Sequence, residues 1–238
     1  MSKRVIVFGA NGAIGKRVVS EFHRSGATVF AVTRPNANTD FHNPDIKHVF
    51  WDPLSSDNRH IPSEIKDTCF DAAVWAQGKN LTDSIETFDI DAHIDLYNSN
   101  VLYVLKSARD LLSNNLLRSG SKLCVVSSVW QILARQEKLS YGVTKAALSG
   151  LVRSLAIDLG KKNILINAVL PGAIDTPMTR ANVDERQLTV IEHSTPLGKL
   201  ATMESVINLI CFLCSDLNTG TTGEFVTVDG GFSCGRIL

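Results

Sequence analysis

Short apolar segments of strand length alternate with amphipathic segments of helix length along the chain, and this alternation is the strongest constraint on its fold. Several apolar segments are almost continuously apolar and rich in β-branched residues, as expected of strands buried on both faces. Strands are predicted at residues 4–8, 28–33, 46–51, 71–76, 121–127, 163–169 and 224–228. Helices are predicted near residues 13–25, 90–115, 140–160 and 202–214. This pattern predicts an α/β fold with a doubly wound parallel sheet of about seven strands and helices on both faces.

The chain shows no internal repeat, low-complexity tract or linker, so residues 1–238 are interpreted as one domain. Residues 34–45 are polar and rich in Asn and Pro, and they predict a loop after the second strand. Residues 173–200 carry Pro177 and Pro196 around a weakly helical middle. A connection this long without a strong element is typical of a functional lid, and we expect it to cover a substrate site.

Acidic and basic residues balance at 24 each, which gives a formal net charge of zero at pH 7. We therefore expect neither nucleic acid nor an anionic membrane surface as a partner. No apolar run reaches the roughly 18 residues of a membrane span. The run at residues 5–8 is too short for a signal peptide, so we expect a cytoplasmic protein.

Five cysteines at irregular spacing suit a reducing compartment. Cys211 and Cys214 form a C-x-x-C pair, but no second pair or nearby histidine completes a zinc set. The pair lies in an apolar segment, where a helix would bury small residues. We therefore predict core packing for these cysteines and no metal site.

A glycine-rich turn follows the first predicted strand directly. Gly9, Gly12 and Gly15 stand at G-x-x-G-x-x-G spacing, and a helix begins after them. Glycines here would allow the backbone to approach a pyrophosphate, and the helix N-terminus would offer it free N–H groups. Gly15 would let the helix pack tightly on the strand. The turn predicts a dinucleotide site, with an ordinary glycine-rich turn as the alternative.

The residue after the second strand distinguishes the two nicotinamide dinucleotides. A carboxylate there would hydrogen-bond the ribose 2′-OH of NAD(H), whereas the 2′-phosphate of NADP(H) needs a cation. Here the strand is followed by Arg34, whose guanidinium suits a phosphate by charge and by its forked geometry. The sequence predicts NADP(H) rather than NAD(H), with a solvated surface arginine as the alternative. NADP(H) in turn favours reduction over oxidation.

Tyr141 and Lys145 stand four residues apart in a predicted helix and therefore share one helix face. A phenol has a pKa of about 10 and exchanges its proton poorly at neutral pH. An ammonium beside it favours the phenolate and would lower that pKa towards the range of general acid–base catalysis. The pair alone is a weak signal, and it gains weight from the dinucleotide site predicted upstream.

With the glycine-rich turn first and Tyr141 and Lys145 later, the chain resembles the short-chain dehydrogenase/reductase family over nearly its whole length. Ser128 lies thirteen residues before Tyr141 and matches the family's catalytic serine. Asn100 matches the asparagine that completes the family's catalytic tetrad. The resemblance implies a compact single domain of Rossmann type that includes the lid.

Further segments match the family's cofactor site. Asp52 matches the acid that contacts adenine, and Pro171-Gly172 begins a motif that contacts nicotinamide and pyrophosphate. The resemblance implies cofactor contacts from Gly9, Asn11, Gly12, Ile14, Gly15, Arg34, Asp52, Ala76, Gly78, Tyr141, Lys145, Pro171, Gly172, Ile174 and Thr176.

Two segments depart from the family pattern. Members of this size usually carry G-x-x-x-G-x-G, whereas Ala13 here replaces the second glycine. The observed spacing is commoner in longer relatives that modify sugar nucleotides. The family's Asn-Asn-Ala-Gly after the fourth strand appears as Trp75-Ala76-Gln77-Gly78, and the lost side-chain hydrogen bonds predict reduced rigidity there.

The resemblance implies hydride transfer between a nicotinamide and a carbonyl or secondary-alcohol carbon. Tyr141 would be the general acid in reduction and the general base in oxidation. Ser128 would hydrogen-bond the substrate oxygen, Lys145 would bind the nicotinamide ribose, and Asn100 would hold a water in a proton relay. A sugar-nucleotide reductase or epimerase and a non-catalytic NADP(H) sensor are the alternatives.

The substrate pocket is predicted from Ser128, the residues that follow it and the lid. Trp130 and Met178 are the expected substrate contacts, and Trp130 suggests an apolar or ring-shaped substrate. Gln131 and Arg180 would instead meet polar or anionic groups, so the sequence does not select one substrate. The resemblance also implies a homodimer or homotetramer built on the helices that carry the catalytic asparagine and tyrosine.

Overall fold

A computed structural model describes residues 2–35, 43–55 and 61–235. The predicted loop at residues 34–45 therefore lies partly outside the described residues. The described ranges contain every residue predicted to belong to the functional site.

The centre of the molecule is a parallel sheet of seven strands in the order β3-β2-β1-β4-β5-β6-β7. The strands are β1 (Arg4–Phe8), β2 (Thr28–Thr33), β3 (Lys47–Phe50), β4 (Phe70–Trp75), β5 (Leu117–Val126), β6 (Leu165–Pro171) and β7 (Phe225–Val228). All seven predicted strands are confirmed. The largest difference is at β5, which begins at Leu117, four residues before the predicted start.

The helices are α1 (Ala13–Arg24), α2 (Ile90–Tyr97), α3 (Tyr103–Ser113), α4 (Leu139–Gly160), α5 (Pro177–Arg180), α6 (Glu185–His193) and α7 (Met203–Leu213). A π-helical turn, Asn98–Leu102, joins α2 to α3, so the helix predicted near residues 90–115 is one helical stretch with a local irregularity. In the described part of the chain, no helix is both long and apolar enough to span a membrane.

Helices cover both faces of the sheet, and each face has its own hydrophobic core. Along β1, Ile6 and Phe8 point into the core shared with α3 and α4. Val5 and Val7 point into the core shared with α1 and α7. This alternation follows from the two-residue period of a strand, and it confirms the doubly wound arrangement. Cys124 and Cys214 lie in the second core, as predicted for Cys214, whereas Cys211 is only partly buried and packs against the edge of this core.

The chain order of the strands reverses at β1, which lies between β2 and β4. The connection that leaves β1 passes over one face of the sheet and the connection that leaves β4 passes over the other. A crevice therefore forms between the carboxyl ends of β1 and β4. Ligands of open α/β sheets bind in such a crevice. The glycine-rich turn follows β1, and Gln77 and Gly78 follow β4, so both segments meet at this position.

Candidate active site

A cavity of about 550 Å³ lies at the carboxyl ends of the strands. Its wall is formed by the turn after β1, the segments after β4, β5 and β6, the start of α4, and the lid. The predicted site residues on its wall are Gly9, Asn11, Gly12, Ile14, Ala76, Gly78, Ser128, Trp130, Tyr141, Lys145, Pro171, Gly172, Ile174, Thr176 and Met178. Three sets of residues that were predicted separately therefore share one cavity, namely the glycine-rich turn, the lid, and the tetrad members Ser128, Tyr141 and Lys145.

At the glycine-rich turn, the backbone of the turn lies close to the segment after β4 and to the first turn of α1. Gly9 has a positive φ of 71°, and a Cβ on it would lie 2.5 Å from the backbone nitrogen of Gln77. A Cβ on Gly15 would lie 2.1 Å from the carbonyl oxygen of Gly9. Gly12 precedes α1 without a side-chain cap, and the first turn of α1 carries no acidic residue. The helix N-terminus is thus suited to an anion.

Gln77 supplies an unpaired acceptor where the first cavity adjoins a second one of about 240 Å³. Its Oε1 atom is buried, and no described residue hydrogen-bonds to it. A buried acceptor without a partner is uncommon in proteins. Together with the close backbone approach at Gly9 and Gly15, this atom fits a dinucleotide with hydroxyl groups to donate. The sequence interpretation noted only that the family's two asparagines are missing from this segment, and it gave Gln77 no role.

Arg34 lies on the wall of the second cavity, as do Ser99 and Tyr103. Its Nη2 donates to the Ser99 Oγ at 3.5 Å, and its guanidinium lies 6.0 Å from the centre of the Tyr103 ring. Nearly half of its side chain is exposed. A cation is therefore present next to the glycine-rich turn, as the prediction for the 2′-phosphate requires.

Asp52 lies behind Arg34 and lines neither of these two cavities. Its Oδ2 is 3.8 Å from the Arg34 Nε, and its Oδ1 accepts a hydrogen bond from the Leu54 backbone at 3.0 Å. The carboxylate is thus held by its own loop. Its predicted contact with adenine stays a prediction.

Tyr141 and Lys145 lie in the first two turns of α4 and share one face, as predicted. Lys145 is buried, and its Nζ lies 5.6 Å from the centre of the Tyr141 ring. The same Nζ donates to the carbonyl oxygen of Val126 at 3.2 Å. That carbonyl belongs to the last residue of β5, so the sheet fixes the ammonium beside the tyrosine.

The ionisation of this pair differs from the sequence prediction. Burial raises the pKa of Tyr141 to about 12, and a hydrogen bond with Ser128 opposes this increase. Burial also lowers the pKa of Lys145 to about 8. The predicted lowering of the Tyr141 pKa is wrong for the protein alone, because burial raises this pKa by more than the hydrogen bond with Ser128 lowers it. Tyr141 is therefore a neutral phenol at pH 7 and holds a proton to donate.

Ser128 follows β5 and begins the short 3₁₀ turn Val129–Gln131. Its Oγ accepts a hydrogen bond from the Trp130 backbone at 3.3 Å. This bond fixes the hydroxyl near Tyr141 and orients Trp130 on the cavity wall. Ser128 thus caps a turn and lines the reaction cavity at the same time.

Asn100 lies in the π-helical turn and is buried behind the cavity. Its Oδ1 accepts from the Lys79 backbone at 2.8 Å, and its Nδ2 donates to the Lys79 carbonyl at 3.1 Å and to the Thr144 Oγ1 at 3.0 Å. The side chain therefore ties the segment after β4 to helix α4. A Cβ on Gly78 would lie 3.6 Å from the Asn100 Oδ1 and 3.7 Å from the Lys145 Nζ. The predicted water relay stays a prediction.

The lid contributes Met178, Asn182, Val183 and Ile191 to the cavity wall. Helix α6 begins with a capping box between Asp184 and Gln187, which gives this part of the lid a defined start. The prediction that Arg180 faces a polar ligand is wrong, because Arg180 is not on the cavity wall. Its guanidinium is an exposed partner of Asp175, at 2.7 Å.

Arg135 and Lys138 were missed by the sequence interpretation, although both line the cavity. Their position between Ser128 and Tyr141 was an available signal. The sequence alone does not reveal that this connection turns back towards the lid.

Comparison with known proteins gives consistent matches. A family model described as Enoyl-(Acyl carrier protein) reductase matches residues 67–233. Human L-xylulose reductase is 31% identical over 251 residues, which cover 97% of this chain and 96% of the relative. The 3-oxoacyl-acyl-carrier-protein reductase FabG of Aquifex aeolicus is 38% identical over 136 residues, covering 55% of this chain and 54% of the relative.

Two solved structures share the fold. A short chain dehydrogenase family protein from Francisella tularensis aligns with a TM-score of 0.86 at 23% identity, over 99% of this chain and 100% of that chain. NADP-bound ElxO aligns with a TM-score of 0.85 at 23% identity, over the same shares of the two chains.

Proposed function

The chain belongs to the short-chain dehydrogenase/reductase family, and on that premise we propose that it is an NADP(H)-dependent oxidoreductase. The proposed reaction interconverts a carbonyl compound and an alcohol. One observation carries the proposal: Ser128, Tyr141 and Lys145 line the same cavity as the glycine-rich turn. A proton donor and a dinucleotide site therefore face a common space.

Bound NADPH would supply a hydride to the carbonyl carbon of the substrate. Tyr141 donates its phenolic proton to the oxygen of that carbonyl, which completes the alcohol. Ser128 hydrogen-bonds the same oxygen and holds it within reach of the phenol. Lys145 stabilises the phenolate that remains, since its ammonium lies on the same helix face. In oxidation the same groups act in the reverse order.

One feature supports NADP(H) over NAD(H). Arg34 is the cation nearest to the carboxyl end of β2, and it lines the cavity beside the glycine-rich turn. The guanidinium would pair with the 2′-phosphate, and Asp52 behind it would keep the side chain oriented.

We also infer a cytoplasmic homo-oligomer. All five cysteines are free, as expected in a reducing compartment. Exposed apolar residues follow the outer face of α2, α3 and α4, namely Ile94, Leu105, Val143 and Ile157. Exposed apolar residues grouped on adjacent helices are typical of subunit interfaces.

NADPH oxidation with a panel of ketones, aldehydes and oxo acids tests the function. We expect at least one class to be reduced at a rate well above the background without protein. The proposal would be contradicted if the protein binds NADPH tightly but neither reduces a carbonyl compound nor oxidises an alcohol with NADP. That result would favour a sensor.

A further inference from the structure

Two cations lie at the lid end of the active-site cavity. Among the described residues, the cations on the cavity wall are Lys79, Arg135, Lys138 and Lys145, and no acidic residue lines it. Lys79 pairs with Asp95 at 2.7 Å, and Lys145 is committed to Tyr141 and Val126. Arg135 and Lys138 are therefore the two cations on this wall whose charge has no role in the site described above.

Lys138 is held entirely by neutral oxygens. Its side chain is buried, and its Nζ donates to the Asn80 Oδ1, the Leu81 carbonyl, the Thr82 Oγ1 and the Asn182 Oδ1 at 3.0–3.2 Å. The nearby carboxylate of Asp83 accepts a hydrogen bond from the Ser140 backbone at 3.0 Å and does not line the cavity. Lys138 thus lines the cavity with no carboxylate among its hydrogen-bond partners, and the acids that interact with its charge, Asp83 and Glu137, do not line the cavity.

Arg135 is half-buried and also bonds to a neutral group. Its Nη2 donates to the Oε1 of Gln187, on lid helix α6, at 3.4 Å. Within the described ranges, no carboxylate oxygen lies within salt-bridge distance of Arg135. A guanidinium binds a carboxylate or phosphate through two parallel hydrogen bonds and considerably more strongly than it binds an amide oxygen.

These cations lie away from the dinucleotide end of the cavity. Lys138 is the N-cap residue of α4 and precedes Lys145 by seven residues, which corresponds to about 10 Å along the helix axis. Lys145 adjoins Gly78 and the end of β5. Lys138 instead bonds to residues 80–82 and to Asn182 of the lid, and Arg135 bonds to Gln187 of the lid. The phosphates of a dinucleotide at the glycine-rich turn would not reach them.

We propose that the substrate is a small carbonyl compound with an anionic group, and that Arg135 and Lys138 bind this group. The proposal rests on the oxidoreductase function and names its substrate class. The reacting carbonyl lies at Ser128 and Tyr141, and the anion lies at the lid end. Trp130, Met178 and Ile191 line the same cavity and fit a short apolar body. The anion replaces the amide oxygens of Asn182 and Gln187, which links substrate binding to the lid.

Matched substrates test the charge directly. Aliphatic oxo acids, their methyl esters and oxoalkyl phosphates of the same length are compared with NADPH as reductant. We expect kcat/KM for an anionic substrate to exceed that for the ester by at least about 10-fold. The anionic substrate with the higher kcat/KM shows whether the site prefers a carboxylate or a phosphate. Arg135→Gln should lower kcat/KM for the anionic substrate by about 10- to 100-fold and leave that for the ester within about twofold. Lys66→Gln removes a charge at an exposed position outside the cavity and should change neither value.

A binding measurement separates this proposal from the proposed reaction. Titration calorimetry of Tyr141→Phe with NADP present measures the affinity for the oxo acid and the oxoalkyl phosphate without turnover. We expect Arg135→Gln in this background to weaken the binding of at least one anion by at least about 10-fold, and Arg135→Lys to retain part of the affinity. If no carbonyl compound is reduced, the oxidoreductase proposal fails while this titration still decides on the anion site. Equal affinities with and without Arg135, or equal kcat/KM for the anions and the ester, would overturn the anion site and leave the reaction standing.

Discussion

The buried ammonium of Lys145 lies 5.6 Å from the centre of the Tyr141 ring and donates a hydrogen bond to the Val126 carbonyl oxygen rather than to a carboxylate. Charge burial of this kind costs stability. The protein nevertheless retains it at the position where a phenolate would form. Such a loss of stability is expected at a site that serves the proposed proton transfer.

Replacement of Lys145 by methionine should stabilise the free protein and remove its activity. Burial lowers the pKa of Lys145 from 10.5 to about 8, and a shift of this size corresponds to about 3 kcal/mol. Below pH 8 Lys145 is charged in both the folded and the unfolded protein, so folding bears the whole free-energy cost of burying the ammonium. This cost falls as the pH rises from 8 to 10.5, because the folded protein then holds Lys145 as a neutral amine. Lys145→Met should therefore raise the free energy of unfolding at pH 7 by up to about 3 kcal/mol, with a smaller gain at pH 10.

Urea unfolding at the two pH values measures this difference, and Lys66→Met is the matched exposed control. A Lys145→Met protein that is less stable than the wild type at pH 7 would contradict the burial argument. The same conclusion would follow from a gain that does not shrink at pH 10.

Charge reversal at Arg34 should separate the two cofactors. Arg34→Asp removes the cation that faces the 2′-phosphate and adds a second acid beside Asp52. We expect the KM for NADPH to rise by about 10- to 100-fold, while the KM for NADH stays within about threefold. Steady-state kinetics with both cofactors measure this, and Lys66→Asp makes the same charge change away from the site. Equal increases for the two cofactors would exclude Arg34 as the phosphate ligand.

The close approach at Gly15 should not tolerate a methyl group. A Cβ there would lie 2.1 Å from the Gly9 carbonyl oxygen, so Gly15→Ala must displace the turn. We expect a loss of about 1–3 kcal/mol in the free energy of unfolding, together with weaker NADPH binding. Gly160→Ala is the matched control, because its Cβ would meet nothing within 4 Å. A Gly15→Ala protein as stable as Gly160→Ala would show that the turn is not under steric constraint.

A charge on the outer face of α4 should disrupt the proposed oligomer. Ile157 is 81% exposed in the isolated chain, and Leu217, outside the helices α2–α4, is similarly exposed at 78%. Ile157→Glu should lower the mass measured by sedimentation, whereas Leu217→Glu should not. A wild-type protein that sediments as a monomer would contradict the oligomer, as would an Ile157→Glu protein with unchanged mass.

The sheet could be predicted from the sequence because each buried strand is a short run of apolar residues, as in β4 and β6. The positions of Ser128, Tyr141 and Lys145 followed from their order and spacing. The apolar runs and the spacing of these three residues can both be identified from short segments of the chain, without knowledge of how distant segments pack.

Other features depend on contacts between distant segments. The π-helical turn at Asn98–Leu102 places Asn100 against Lys79 and Thr144. The residue types in this turn do not predict a π-helix. The pKa of Tyr141 was predicted in the wrong direction, because the Tyr-Lys spacing reveals the charge but not the extent of burial. Arg135 and Lys138 take the positions on which their proposed role depends only when the lid packs against the start of α4.

NADPH oxidation by Tyr141→Phe, with a carbonyl compound that the wild type reduces, tests the central role of Tyr141 most directly. The phenyl ring keeps the packing of α4 but has no proton to donate. We expect turnover to fall by about 100- to 10,000-fold, while the Kd for NADPH stays within about threefold of the wild-type value. Turnover within about tenfold of the wild type, with NADPH binding intact, would contradict the assignment of Tyr141 as the proton donor.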